Sequence, residues 1–113
     1  MTKKLIETIE DHGWRIYFGK NFISLSKYSP LGEDFSIDVL QISNDHSISK
    51  EIFEIYQDFD PEAHAYGWYK NCEHSLKDLL EDAEYIKEDM LKPLAFDLFK
   101  MFDEFFGKEN ESC

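Results

Sequence analysis

The spacing of apolar residues changes midway along this chain, and that change limits the folds it can adopt. Phe35, Ile37 and Val39 alternate with polar residues, as expected of a strand with one buried face. From Ser47 onward, apolar side chains recur at the intervals of three and four that are typical of helices. No repeat or Gly/Ser-rich linker separates the two patterns, so we expect a single α+β domain over residues 1–113.

The first part, residues 1–46, predicts a short N-terminal helix followed by a three-stranded antiparallel meander. Thr2 is a candidate N-cap, and Gly13 is suited to the position just beyond the end of the helix. Residues 14–18 and 22–28 are rich in aromatic and β-branched side chains and flank a three-residue loop. Residues 29–32, with the sequence SPLG, predict the turn before the third strand.

The second part, residues 47–107, predicts two short helices and a long C-terminal helix that pack on one face of the sheet, followed by a tail at 108–113. Asp60 and Pro61 form a typical helix start. Ser75 and Asp78 have the spacing of a capping box. Pro93 should bend or split the long helix, because proline removes one helical hydrogen bond.

Acidic residues dominate the charge of the chain. The sequence has 24 Asp and Glu against 12 Lys and Arg, a net charge of −12, and residues 47–113 contain 17 of the acids. This charge disfavours nucleic acid and anionic membranes as partners and favours positively charged ones. Glu7 and Glu10 interrupt any signal-peptide core, and the two cysteines are too few for a disulfide framework. We therefore expect a cytoplasmic protein with reduced thiols.

A row of carboxylates on the predicted long helix is the strongest candidate site. With helical spacing, one face would display Asp78, Glu81, Asp82, Tyr85, Glu88 and Asp89. Carboxylates one turn apart are separated by about 5 Å along the axis, comparable with the 3.4 Å step between phosphates on one DNA strand. Such a row could occupy a Lys/Arg-rich groove that normally holds nucleic acid. The alternative is an ordinary solvated helix face.

The end of the chain is rich in phenylalanine. Seven apolar side chains between residues 96 and 106 cover more than half of the helix circumference, more than one sheet can bury. Core packing is one interpretation. The other is an interface between copies of the chain, for which the candidate residues are Phe99, Phe102 and Phe106.

A third cluster combines His64, Cys72 and His74, which could in principle bind a transition metal or form a thiol and base pair. Structural zinc needs about four ligands, and a fourth is not evident here. Gly-rich phosphate loops, nucleophile elbows and H-E-x-x-H motifs are absent from the sequence. We expect no enzymatic activity, no metal and no cofactor, and keep a small metal- or thiol-dependent enzyme as an alternative.

Three segments also suggest a family. They are KYSPLGEDFS at residues 27–36, YQDFDPEAH at 56–64 and SLKDLLEDA at 75–83. In this order the chain resembles small acidic proteins encoded by bacterial phages, plasmids and conjugative elements, most of which have no assigned function. The resemblance does not extend to the segment from Phe96 to Cys113. It implies an origin in a mobile element, and proteins of this kind, among them anti-CRISPR proteins, often bind and disarm a host defence.

These observations together predict a non-enzymatic inhibitor. Its expected partner is a host protein with a basic nucleic-acid-binding surface, a CRISPR effector nuclease in particular, whose channels are positively charged. The carboxylate row would supply the complementary charge, and Tyr85 an aromatic anchor. The alternative from a different class is an oligomeric structural or adaptor protein that associates through the phenylalanine-rich helix. A DNA-mimicking inhibitor and one that acts allosterically are both compatible with the sequence.

Overall fold

The computed structural model describes residues 2–40, 44–71 and 73–112, with side chains as far as Phe102. The order of elements is helix, three strands, then helices, which confirms the predicted α+β fold. The elements are α1 (Lys3–Asp11), β1 (Arg15–Phe18), β2 (Phe22–Tyr28), β3 (Asp34–Leu40), α2 (Asp45–Asp58), α3 (Pro61–Tyr69), α4 (Leu76–Tyr85), a π-helical segment (Ile86–Leu91) and α5 (Lys92–Ser112).

The caps predicted for α1 are present. The Leu5 amide donates to Thr2 Oγ1 over 3.4 Å, which satisfies one of the unpaired N–H groups at the helix start. Gly13 ends the helix with a φ of 85°, in the left-handed region that favours glycine. The Lys27 ammonium donates to the carbonyl of His12 over 2.7 Å and ties this end of the helix to β2.

The strands form an antiparallel sheet in the order β1-β2-β3, as predicted. Leu25 pairs with Ile16 on one side and with Ile37 on the other. Along β3, Phe35, Ile37 and Val39 are buried and the residues between them are exposed. The sheet therefore has one buried face, as the alternation of the sequence indicates.

The main core lies between this face and the helices. It contains residues of α1, the sheet, α2, the π-helical segment and α5; among its fully buried side chains are Leu5, Ile23, Ile52, Met90 and Leu98. A smaller cluster joins α3 to α4 through Ala65, Leu79 and Ala83, with Leu31 from the β2–β3 turn packed against it.

Pro93 splits the long helix without ending it. The helical backbone runs from α4 through the π-helical segment into α5, and Pro93 is the second residue of α5. The Lys92 amide donates to the carbonyl of Lys87, five residues back, which is the π-type hydrogen bond. Pro93 has no N–H to donate, so a wider turn at this point replaces the α-helical bonding that the ring would disrupt.

Helix α2 begins earlier than the apolar spacing indicated. Asn44 is its N-cap and accepts from the Ser47 amide over 2.8 Å, so the helix starts at Asp45 rather than near Ser47.

None of the helices in the described ranges has the length and apolar character needed to cross a membrane.

The β2–β3 turn offers a test of the backbone. Gly32 has a φ of 89°, and no atom lies within 4 Å of the position where a Cβ would be. Gly32→Ala should therefore destabilise the fold by about 1–2 kcal/mol through backbone strain alone. Gly67 lies inside α3 with equally open space, so Gly67→Ala should stabilise the fold by up to about 1 kcal/mol.

Urea unfolding followed by circular dichroism measures both changes in the free energy of unfolding. Equal effects of the two substitutions would contradict the left-handed conformation assigned to Gly32.

Candidate acidic binding surface

The structure exposes most of the predicted carboxylate row. The side chains of Asp78, Glu81, Glu88 and Asp89 are exposed. Tyr85 is 43% exposed, as an aromatic anchor at a binding surface must be. Within the described ranges, Asp78, Glu81 and Asp89 make no ion pair, whereas Glu88 lies 3.4 Å from the Lys92 ammonium.

Asp82 was predicted to lie on the exposed face of the helix, and this prediction is wrong. Its side chain is only 4% exposed, so it does not share the solvated face on which helical spacing placed it. The Leu31 amide donates to Asp82 Oδ1 over 3.0 Å. The turn between β2 and β3 therefore covers this part of α4, and Asp82 fixes the turn to the helix.

The second oxygen of Asp82 is unusual. Oδ2 exposes less than 1 Å² and has no hydrogen-bond partner among the described residues. Leaving a buried polar atom unpaired costs about 1–3 kcal/mol, and buried polar groups without a partner are uncommon in folded proteins.

Asp82 lines a cavity of about 220 Å³ between the β2–β3 turn and α4. The other lining residues are Pro30, Leu31, Asp78, Glu81 and Tyr85. Three of the six side chains are carboxylic acids and none is Lys, Arg or His. The cavity thus combines a deep acid, two acids at its exposed rim, an apolar edge and an aromatic ring.

The sequence determines the orientation of α4 at this cavity. Ser75 is its N-cap and accepts from the Asp78 amide over 3.2 Å. This is one half of the predicted capping box. Leu79 and Ala83 pack against Ala65 of α3. Because these residues face α3, Asp78 and Glu81 are directed to solvent.

The π-helical segment changes the position of the remaining acids. A π-type turn contains one residue more than an α-helical turn, so the residues after Tyr85 are displaced around the axis from the positions that an uninterrupted α-helix gives them. Glu88 and Asp89 lie within this segment and do not line the cavity. The row is therefore divided into a cavity group, Asp78, Glu81 and Asp82, and a separate pair.

A second polar contact holds the same turn. His64 Nε2 on α3 lies 2.7 Å from Glu33 Oε2, and the His64 ring packs edge-on against Phe35 with 5.6 Å between ring centroids. His64 therefore contributes to the attachment of the turn. His74 packs against Trp68 at 6.2 Å, while Cys72 and Cys113 lie outside the described residues. Among the described residues, no three His, Cys, Asp or Glu side chains converge to hold a metal ion.

The phenylalanine-rich segment is partly buried in the core and partly exposed. Leu98 is fully buried, whereas Phe99 is 50% exposed and Phe96 is 39% exposed. Phe53 of α2 packs against both exposed rings, with centroid distances of 5.5 Å to Phe96 and 5.2 Å to Phe99.

A cavity of about 420 Å³ lies on this side of the molecule, between α2 and α5, and Phe99 and Phe102 contribute to its lining. Phe102 is half-buried. The side chain of Phe106, the third residue proposed for an oligomer interface, lies outside the described part of the chain.

Sequence reasoning missed Pro30 and Leu31 as site residues. The SPLG segment indicated a turn, but it does not identify the helix, 51 residues further on, that the turn contacts. The signal that was available is Leu31 itself, an apolar residue at the tip of a turn, which requires something to pack against.

The two roles of Asp82 can be separated by substitution. Asp82→Asn keeps an acceptor for the Leu31 amide and replaces the charged, unpaired Oδ2 with an uncharged NH2 group that also lacks a partner, so its stability should stay within about 1 kcal/mol of the wild type. Asp82→Ala removes the acceptor as well and should be less stable than Asp82→Asn by about 1–3 kcal/mol.

Urea unfolding measures the difference, with the exposed Asp89→Asn as a control that should change stability by less than about 0.5 kcal/mol. Equal stability of the Ala and Asn variants at position 82 would contradict the turn contact.

Comparison of the chain with models of known protein families, with curated proteins and with solved structures finds no match. The residues of the chain itself therefore have to indicate what this surface binds.

Proposed function

We propose that this protein is a non-enzymatic binding protein that inhibits a nucleic-acid-handling partner by occupying its basic surface. The observation that carries the proposal is the set of exposed carboxylates on α4 and the π-helical segment that lack ion pairs within the described ranges. They are Asp78, Glu81 and Asp89, and Tyr85 lies among them.

The dimensions of this surface suit a nucleic-acid-binding groove. Asp78 and Glu81 are three residues apart on α4, which corresponds to about 4.5 Å of helix axis at 1.5 Å per residue. This is comparable with the step of about 3.4 Å between phosphates on one strand of DNA. A groove that normally neutralises phosphates would meet carboxylates at comparable spacing, and the net charge of −12 would steer the encounter.

The most specific partner we propose is an RNA-guided nuclease. Such an enzyme holds its heteroduplex in a positively charged channel and reads the adjacent motif with arginines. These are the groups that exposed carboxylates and a nearby aromatic ring would engage. An origin in a mobile element, expected from the segments at residues 27–36, 56–64 and 75–83, would favour the same partner, and other basic nucleic-acid-binding proteins are also candidates.

Charge reversal tests the surface. The double variant Glu81→Lys/Asp89→Lys should lose at least about tenfold in inhibition of DNA cleavage, because each substitution replaces an attraction with a repulsion. The matched control is Glu10→Lys/Asp11→Lys, which makes the same change in net charge at exposed positions on α1. Asp82 is left intact, because a buried lysine there would break the turn contact.

The assay measures cleavage by a purified, guide-loaded nuclease at two salt concentrations, for a panel of such enzymes. Inhibition by the wild type should weaken as salt increases, since screening reduces attraction between exposed charges. Equal loss in both double variants would show that net charge alone acts. Absence of inhibition across the panel would contradict the proposed nuclease partner.

The exposed aromatic surface favours one other function. Phe96 and Phe99 both pack against Phe53, and exposed aromatic clusters often mark contacts between proteins. A structural or adaptor protein that self-associates through α5 would use this surface. Because Phe99 is 50% exposed, Phe99→Glu should leave the fold intact and convert a dimer to a monomer in sedimentation analysis. A monomeric wild type would exclude this function.

A further inference from the structure

We propose that the cavity between the β2–β3 turn and α4 is a receptor for one arginine side chain of a partner protein, with the Asp82 carboxylate as its deepest ligand. This inference rests on the proposed function, since it names the group of the basic partner that the acidic surface recognises.

The first argument is the state of Asp82. Asp82 is only 4% exposed, and it lines the cavity. Its Oδ2 atom has no hydrogen-bond partner within the described part of the chain. Asp78 and Glu81 add two further acids to the same lining. A buried acceptor without a donor gains most from a ligand that donates a charge-assisted hydrogen bond.

The second argument is the apolar part of the lining. Pro30 and Leu31 can pack against the aliphatic stem of a long basic side chain. The Tyr85 ring, 43% exposed, can stack on a planar cation. A volume of about 220 Å³ corresponds to about seven water molecules at about 30 Å³ each, which is room for one long side chain.

The third argument separates arginine from other cations. The three carboxylates line one cavity, but within the described residues they do not converge as the ligands of one metal ion do. A guanidinium presents five donors in a plane and can contact acceptors that are spread around it. A lysine ammonium concentrates its charge at one point and stacks less well on an aromatic ring.

Entry of the cation requires a local change. Because Oδ2 exposes less than 1 Å², rim side chains must turn before a donor reaches it. Glu81 and Tyr85 are exposed residues of the rim, one residue before and three residues after Asp82 on α4. We therefore expect the nuclear magnetic resonance signals of Tyr85 and of the Leu31 amide to change most on binding.

The test is a nuclear magnetic resonance titration of the full chain with a blocked Gly-Arg-Gly tripeptide. Matched peptides contain lysine, or citrulline, which has nearly the shape of arginine without its charge. We expect shifts centred on Leu31, Asp82 and Tyr85, and binding at least about tenfold weaker for citrulline, since a charge-assisted hydrogen bond is lost. The lysine peptide should bind more weakly than the arginine peptide.

Asp82→Asn provides the decisive variant, because it keeps an acceptor for the Leu31 amide and removes the carboxylate charge. It should weaken binding of the arginine peptide at least about tenfold. The control Glu10→Gln removes an exposed acid on α1 and should leave binding unchanged. Three results would each overturn the inference: unchanged binding by Asp82→Asn, equal binding of citrulline, or shifts produced by calcium chloride but not by the arginine peptide.

The titration is independent of the nuclease assay. Arginine binding that depends on Asp82, without inhibition of any nuclease in the panel, would retain the receptor site and remove the proposed nuclease partner. Inhibition of a nuclease that is unaffected by Asp82→Asn would retain the proposed function and remove the receptor site.

Discussion

The hydrogen bond from the Leu31 amide to Asp82 joins the two parts of this fold at the end where the candidate site lies. It connects a turn of the sheet to a helix 51 residues further along the chain. The contact of Glu33 with His64 attaches the same turn to α3. Elsewhere the sheet and the helices are held by the main apolar core. Here the two polar contacts act together with the small cluster of Ala65, Leu79 and Ala83, against which Leu31 packs, to place the turn, α3 and α4 relative to one another.

The same contact gives the acidic surface its shape. Without the turn, Asp78, Glu81 and Asp82 would be three acids on the side of a helix, which is an ordinary solvated arrangement. With the turn in place, Asp82 becomes buried, Pro30 and Leu31 form an apolar edge, and the acids line a cavity. The unpaired oxygen of Asp82 lowers stability, and a ligand that donates to it would recover part of that loss.

Local signals in the sequence were sufficient for most of the fold. The N-caps at Thr2, Asp60 and Ser75 accept hydrogen bonds as predicted, and strand alternation identified the buried face of β3. These features depend on residues close together in the chain, so composition and spacing are enough to find them.

The parts that the sequence did not reveal depend on contacts between distant residues. Helical periodicity gives Asp78 and Asp82 the same face, but it cannot show that Leu31 covers only one of them. Pro93 indicated a disturbance of the long helix, but not that a π-type turn would carry the helix through it without a break. The positions of Glu88 and Asp89 follow from that segment and could not be derived from a period of 3.6 residues.

The most direct test of this account is a crystal structure of the protein with the blocked Gly-Arg-Gly peptide at saturating concentration. The account predicts that the guanidinium lies in the cavity with a nitrogen about 2.7–2.9 Å from Asp82 Oδ2, the length of a charge-assisted hydrogen bond. It also predicts that the Leu31 amide keeps its bond to Oδ1. A peptide bound elsewhere, or a cavity that contains only water, would contradict it.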